Sequence, residues 1–153
     1  MNSVVPETHL DAWRAVLNAH TSVVAHVEEA LAAAALPPLA WYDVLWAIRR
    51  APNRRIRMAE LASSLTISRG GLTKLADRLE SAGLIRREPA DNDGRGLYAV
   101  LTPDGNAVLR RMWPVYSRAL REKFVSALST EDAELIAAAL SRIDEPPHEH
   151  AGA

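Results

Sequence analysis

Residues 59–102 read AELASSLTISRGGLTKLADRLESAGLIRREPADNDGRGLYAVLT, and the order of apolar and turn residues in this stretch decides the fold. Leu61 and Leu65 mark a short helical segment over 59–64, which a break at Thr66-Ile67-Ser68 ends. Leu72, Leu75 and Leu79 then recur at helical spacing up to Gly83. Two short runs of alternating character follow, 84–88 and 97–101, around a tip of Asp91-Asn92-Asp93-Gly94-Arg95-Gly96. Ser68 is placed to cap the second helix, and Gly83 to end it in the left-handed conformation with Leu84 as its apolar contact.

Helix, tight turn, helix and hairpin in that order predict a winged helix-turn-helix, an architecture that usually presents one helix to a DNA major groove. Charge follows the same boundaries. Residues 49–87 carry ten basic and three acidic side chains, a net of +7, whereas 1–48 and 88–153 each carry a net of −4. Acidic flanks around a basic centre would orient a polyanion toward the middle of the chain. The plain alternative is a solvated basic surface with no partner.

Residues 7–35 read as a long helix. Leu10, Trp13, Leu17, His20, Val24, Val27 and Leu31 recur in steps of three and four, and Val16 and Val23 widen the stripe. Such a face fits either an intermolecular seam or an amphipathic core helix, and periodicity alone does not separate the two. Pro37-Pro38 ends that helix and starts another over 39–50. The basic run 54–58, with Ile56 as its β-branched anchor, is expected to be an edge strand beside the hairpin. The helix after it has no capping residue at Met58. Thr102-Pro103-Asp104-Gly105 opens a helix expected to run toward residue 128 with a kink at Pro114, and Ser129 with Asp132 opens the last one. Residues 145–153 are expected to be a disordered tail and 1–6 a frayed end.

The fold class predicted is mainly α with a small β-wing, in a chain of 153 residues that reads as one domain. No cysteine is present, which excludes disulfides and thiolate chemistry and fits a reducing cytoplasm. No export signal or membrane-length apolar run is indicated. Enzyme signatures are missing: there is no Gly-x-Ser-x-Gly, and His9, His20, His26, His148 and His150 form no metal-ligand spacing with carboxylates on one helix. Neither a catalytic residue, a metal nor a cofactor is therefore expected. A winged-helix protein–protein adaptor needs no basic recognition face, so the +7 segment argues against that reading.

On the second helix, Leu72, Leu75, Ala76 and Leu79 face inward, leaving Arg69, Gly71, Thr73, Lys74, Asp77 and Arg78 on the other faces. Arg69, Thr73 and Lys74 suit base-edge contacts, and Arg78, one turn on, suits a phosphate or a brace near Asp77. Ser68 and Arg57 complete the basic approach, and Arg95 on a narrow tip suits a minor groove. Gly70 and Gly71 each cost roughly 1 kcal/mol relative to alanine in a helix interior. Their presence reads either as close backbone approach to DNA or as a loose helix start.

The run from Ile67 to Gly105 resembles the signature of MarR-family transcription regulators. Asp77-Arg78-Leu79-Glu80, Gly83-Leu84, Asp93-Gly94-Arg95, Leu101-Thr102 and Gly105 stand at the matching places. Gly70-Gly71 departs from the commoner Pro or Ala followed by Thr, and Lys74 stands where Arg is frequent. The resemblance implies a homodimer made by the terminal helices (7–35 and 103–144), with winged lobes (38–102) on a pseudo-palindromic operator. It also implies a repressor released by a small ligand, often an aromatic acid, held between the dimer helices and the DNA-binding lobe. Trp13, His20, Trp41, Trp46 and Trp113 are the candidate walls of that site.

Overall fold

In the computed structural model, which describes residues 5–65, 67–90 and 96–144, the heptad-patterned stretch forms α1 (Glu7–Ala33). It ends two residues before the expected position. Ala35 takes a φ of 52°, and the amides of Ala35 and Leu36 bond back to the carbonyls of Ala32 and Leu31 at 3.0 and 2.9 Å. This is a Schellman closure with alanine where glycine is usual, and it lets Leu36 leave the helical region before Pro37.

The next helix, α2 (Leu39–Arg50), starts after Pro38 without a side-chain cap of its own. Its first amide is instead satisfied from α1: Leu39 N donates to Glu28 Oε1 at 3.1 Å. A turn at Pro52–Arg54 leads into β1 (Arg55–Arg57), the expected edge strand. α3 (Met58–Ser64) begins one residue earlier than expected and has no side-chain cap. α4 (Arg69–Ser81), β2 (Ile85–Pro89) and β3 (Leu97–Leu101) follow. The strands form one antiparallel sheet in the order β1-β3-β2, with Arg57 opposite Tyr98 and Arg87 opposite Ala99. The hairpin tip, 91–95, and the tail, 145–153, lie outside the described residues.

The Thr102 hydroxyl caps α5 (Pro103–Lys123), accepting from Gly105 N at 3.0 Å. This helix runs unbroken through Pro114 but stops at Lys123 rather than near 128, where a turn at Val125–Ala127 redirects the chain. α6 (Thr130–Asp144) opens on a reciprocal cap, with Asp132 N donating to Ser129 Oγ and Ser129 N to Asp132 Oδ2.

One apolar core joins these elements. α1 contributes Val27 and Leu31, α2 Val44, Leu45 and Ile48, α3 Leu61, α4 Leu72 and Leu79, and α5 Leu109 and Met112, all fully buried. Each such side chain contributes about 2 kcal/mol through removal from water. α1 packs mainly along α5, and His26 Nε2 meets Glu122 Oε2 between them at 3.3 Å. Among the described residues no helix is long and apolar enough to cross a membrane.

Candidate nucleic-acid interface

The face that α4 turns outward is held from three sides. At its start, Ser68 Oγ accepts from Gly71 N at 3.1 Å, a good N-cap. At its end, Gly83 takes a φ of 73° and Leu84 N returns to Leu79 O at 2.9 Å. Along its flank, Arg87 of β2 reaches both carboxylates of the helix: one guanidinium nitrogen lies 2.7 Å from Asp77 Oδ1 and 2.6 Å from Glu80 Oε2. The Arg87 amide also donates to Glu80 Oε1 at 2.8 Å. Hydrogen bonds from the Arg87 side chain, and then from its amide, hold the Glu80 carboxyl below the usual carboxylate range. The Glu80–Arg87 pair is thus charged through neutral pH and is lost only as pH falls below that range, through the lowered Glu80 value.

What remains outside is cationic. Arg69, Lys74 and Arg78 are exposed and make no ion pair among the described residues. Bracing near Asp77 falls to Arg87, so Arg78 is left for the solvent side. Thr73 is exposed, but its hydroxyl already donates to Arg69 O at 2.9 Å, so it faces outward with lone pairs and a methyl group. Arg57 lies exposed at the end of β1, with its guanidinium 5.3 Å from the Tyr98 ring centroid. Arg95 falls outside the described residues.

The two glycines of α4 differ. A Cβ at Gly71 would lie 3.0 Å from Ser68 Oγ and 3.3 Å from Ile67 Cγ1, so this glycine makes room for the cap. A Cβ at Gly70 would meet nothing within 4 Å. The fold itself gives no reason for glycine at 70.

A hollow of about 310 Å³ opens between α2 and α5 and is lined by Tyr42, Trp46, Arg49, Leu109, Arg110 and Trp113. The Tyr42 ring stacks near Trp46 (centroids 6.1 Å) and Trp113 (6.4 Å) and meets Tyr116 edge-on at 5.0 Å. Burial, then the neighbouring Tyr116 and Asp43, push the Tyr42 phenol up, so it stays a neutral donor at pH 7. Of the five residues expected to wall a ligand site, only Trp46 and Trp113 border this hollow. Trp13 and His20 sit on the exposed half of α1, and Trp41 is half-buried against the core. The spacing of Arg49 three residues after Trp46, and of Arg110 three before Trp113, is the signal that would have found the two arginines.

Comparison with known proteins gives this geometry its family. The sequence matches the MarR family model over residues 36–96. The chain superimposes on AbsC, a MarR-family transcriptional regulator from Streptomyces coelicolor, with a TM-score of 0.83 and 30% identity over 94% of this chain and 96% of AbsC. The chain belongs to the MarR family. A second MarR-family regulator from that organism, Sco3205, solved in complex with DNA, matches with a TM-score of 0.87 and 29% identity over 98% of this chain and 96% of its own. The transcriptional repressor MprA of Escherichia coli K12 is 37% identical over 97 residues, which span 61% of this chain and 54% of MprA. The chain thus spans about half the length of this curated relative. These MarR-family relatives are regulators of transcription, not enzymes.

Proposed function

We propose that this chain binds duplex DNA sequence-specifically as a homodimer, represses transcription from a pseudo-palindromic operator, and is released by a small anionic aromatic ligand. One observation carries the DNA reading. α4 is capped, braced to the sheet and left with three cations on its outer face that make no ion pair among the described residues, in a chain that shares its fold with a regulator solved on DNA. Dimerisation is supported by apolar side chains at both ends of the chain that the protomer leaves in water. Trp13 is 59% exposed on α1, and Leu135 and Ile143 are 68% and 75% exposed on α6. Single exposed apolar residues are ordinary, but these join Leu10, Leu17, Ile136 and Leu140 on the same two helices.

The hollow between α2 and α5 supports the ligand reading. Its floor is aromatic, and Arg49 and Arg110 give it two cations for a carboxylate. α5 also carries the Thr102 cap that ties it to the turn between α4 and β2, so a ligand wedged against Trp113 would act on the element joining both halves.

The test is binding of the intact protein to duplex DNA from its own upstream region. Tight binding should fall steeply with salt, at two protomers per site, and Arg95→Ala should weaken it by about 1–3 kcal/mol. Equal affinity for unrelated duplexes, unchanged by Arg95→Ala, would sink the reading. A benzoate-type acid should quench tryptophan fluorescence in the wild type and not in Arg110→Ala. Identical quenching in both would remove the hollow as the ligand site.

A further inference from the structure

At the root of the wing the sheet carries an aromatic ring flanked by two guanidinium groups. Tyr98 of β3 lies opposite Arg57 of β1, and Arg55, two residues earlier, projects from the same face of the strand. The Arg55 guanidinium is 3.9 Å from the ring centroid, and that of Arg57 is 5.3 Å from it. Arg57 is exposed and makes no ion pair among the described residues. It also leans over Gly96, where the wing begins: a Cβ there would lie 4.0 Å from Arg57 Nη1. A φ of +98° favours glycine at that position, which keeps the approach open.

We propose that Tyr98 is a positioning residue for DNA binding, whose ring holds Arg57 at the wing root as a clamp for one backbone phosphate. The inference rests on the DNA-binding reading above. A carboxylate partner would fix the same guanidinium but would cancel its charge and occupy its N–H groups. An aromatic face fixes it through the π-surface, leaving the full positive charge and the N–H edge available to a phosphate. Holding the side chain before DNA arrives also removes part of the ordering cost of the contact.

The probe is a duplex enriched by in-vitro selection on the wild-type protein, with affinity measured by anisotropy across a salt series. Tyr98→Leu keeps an apolar side chain but removes the ring. It should weaken binding roughly tenfold and lower the slope of log K against log salt by about 0.9, one phosphate contact. Tyr98→Phe should behave as wild type. Arg57→Ala should match Tyr98→Leu, and the double variant should be no weaker than Arg57→Ala alone. An unchanged slope in Arg57→Ala, or a normal slope in Tyr98→Leu beside a lowered one in Arg57→Ala, overturns the clamp while the DNA-binding reading stands. Wild-type protein with no salt-dependent duplex affinity overturns both.

Discussion

Replacing Gly105 with alanine is expected to destabilise the fold by about 3 kcal/mol, at the upper end of what overpacking a tight site costs. The added methyl would collide with the backbone oxygen of Leu84 and lie 2.8 Å from Leu101 Cδ1. A flexible side chain can step aside; a carbonyl that is already engaged cannot. Leu84 O accepts from Thr102 N at 3.1 Å and from the Thr102 hydroxyl at 2.9 Å, and the same hydroxyl caps α5. Moving Leu84 therefore disturbs the end of α4, the start of α5 and the β2–β3 pairing together. For a chain of this length, a fall in melting temperature of roughly 6–12 °C is expected in a calorimetric scan. Gly70→Ala is the internal control: its methyl meets nothing within 4 Å, so the melting temperature should hold or rise. If Gly105→Ala melts with the wild type, the close packing of α5 on the α4–β2 corner is wrong.

The features legible in the sequence are those that a few neighbouring residues specify. Ser68, Gly83, Thr102 and the Ser129–Asp132 pair each act within one helical turn, and each cap forms as its residue type predicts. The edge strand was readable from Ile56 between Arg residues and the break at Pro52. What was hidden depends on pairing across the chain. Arg87 reaches Asp77 and Glu80 only because the Gly83 turn folds β2 back along α4, and in one dimension it was one more basic residue. Glu28 likewise serves α2 rather than its own helix. Trp13 and His20 lie on α1, away from the hollow that α2 and α5 form, and Trp41, though on α2, packs against the core instead. Periodicity marked the apolar face of each helix; it did not tell what that face meets, since the stripe of α1 is buried at Val27 and Leu31 and exposed at Leu10, Trp13 and Leu17.

The same distinction separates the two kinds of residue on α4. Leu72, Ala76 and Leu79 are fully buried and hold the helix in place, whereas Arg69, Lys74 and Arg78 are exposed and make no ion pair among the described residues. Stability and recognition are therefore carried by different faces, and a substitution on one should leave the other intact. Gly71 is the exception, since it stands on the outer face yet makes room for the Ser68 cap.

Arg69→Ala combined with Lys74→Ala is accordingly expected to abolish most operator binding without harming the fold. Both side chains are exposed and unpaired among the described residues, and alanine is the better helix former, so the melting temperature should stay within about 2 °C. On DNA the loss is large. Each cation is worth about 1–3 kcal/mol at a specific contact, so the pair should cost roughly thirtyfold or more in affinity, with the salt slope falling by about 1.8 only where both neutralise phosphates. Arg78→Ala, farther along the helix, should weaken specific and unrelated duplexes alike, because a phosphate contact carries no base information. The discriminating measurement is the ratio of specific to non-specific affinity at fixed salt, taken for each variant. If Arg69 and Lys74 read bases, the double variant loses that ratio; if they only neutralise phosphate, both affinities fall together and the ratio survives. A double variant with wild-type affinity and slope would mean that α4 does not enter the groove at all, and the basic face would then need another partner.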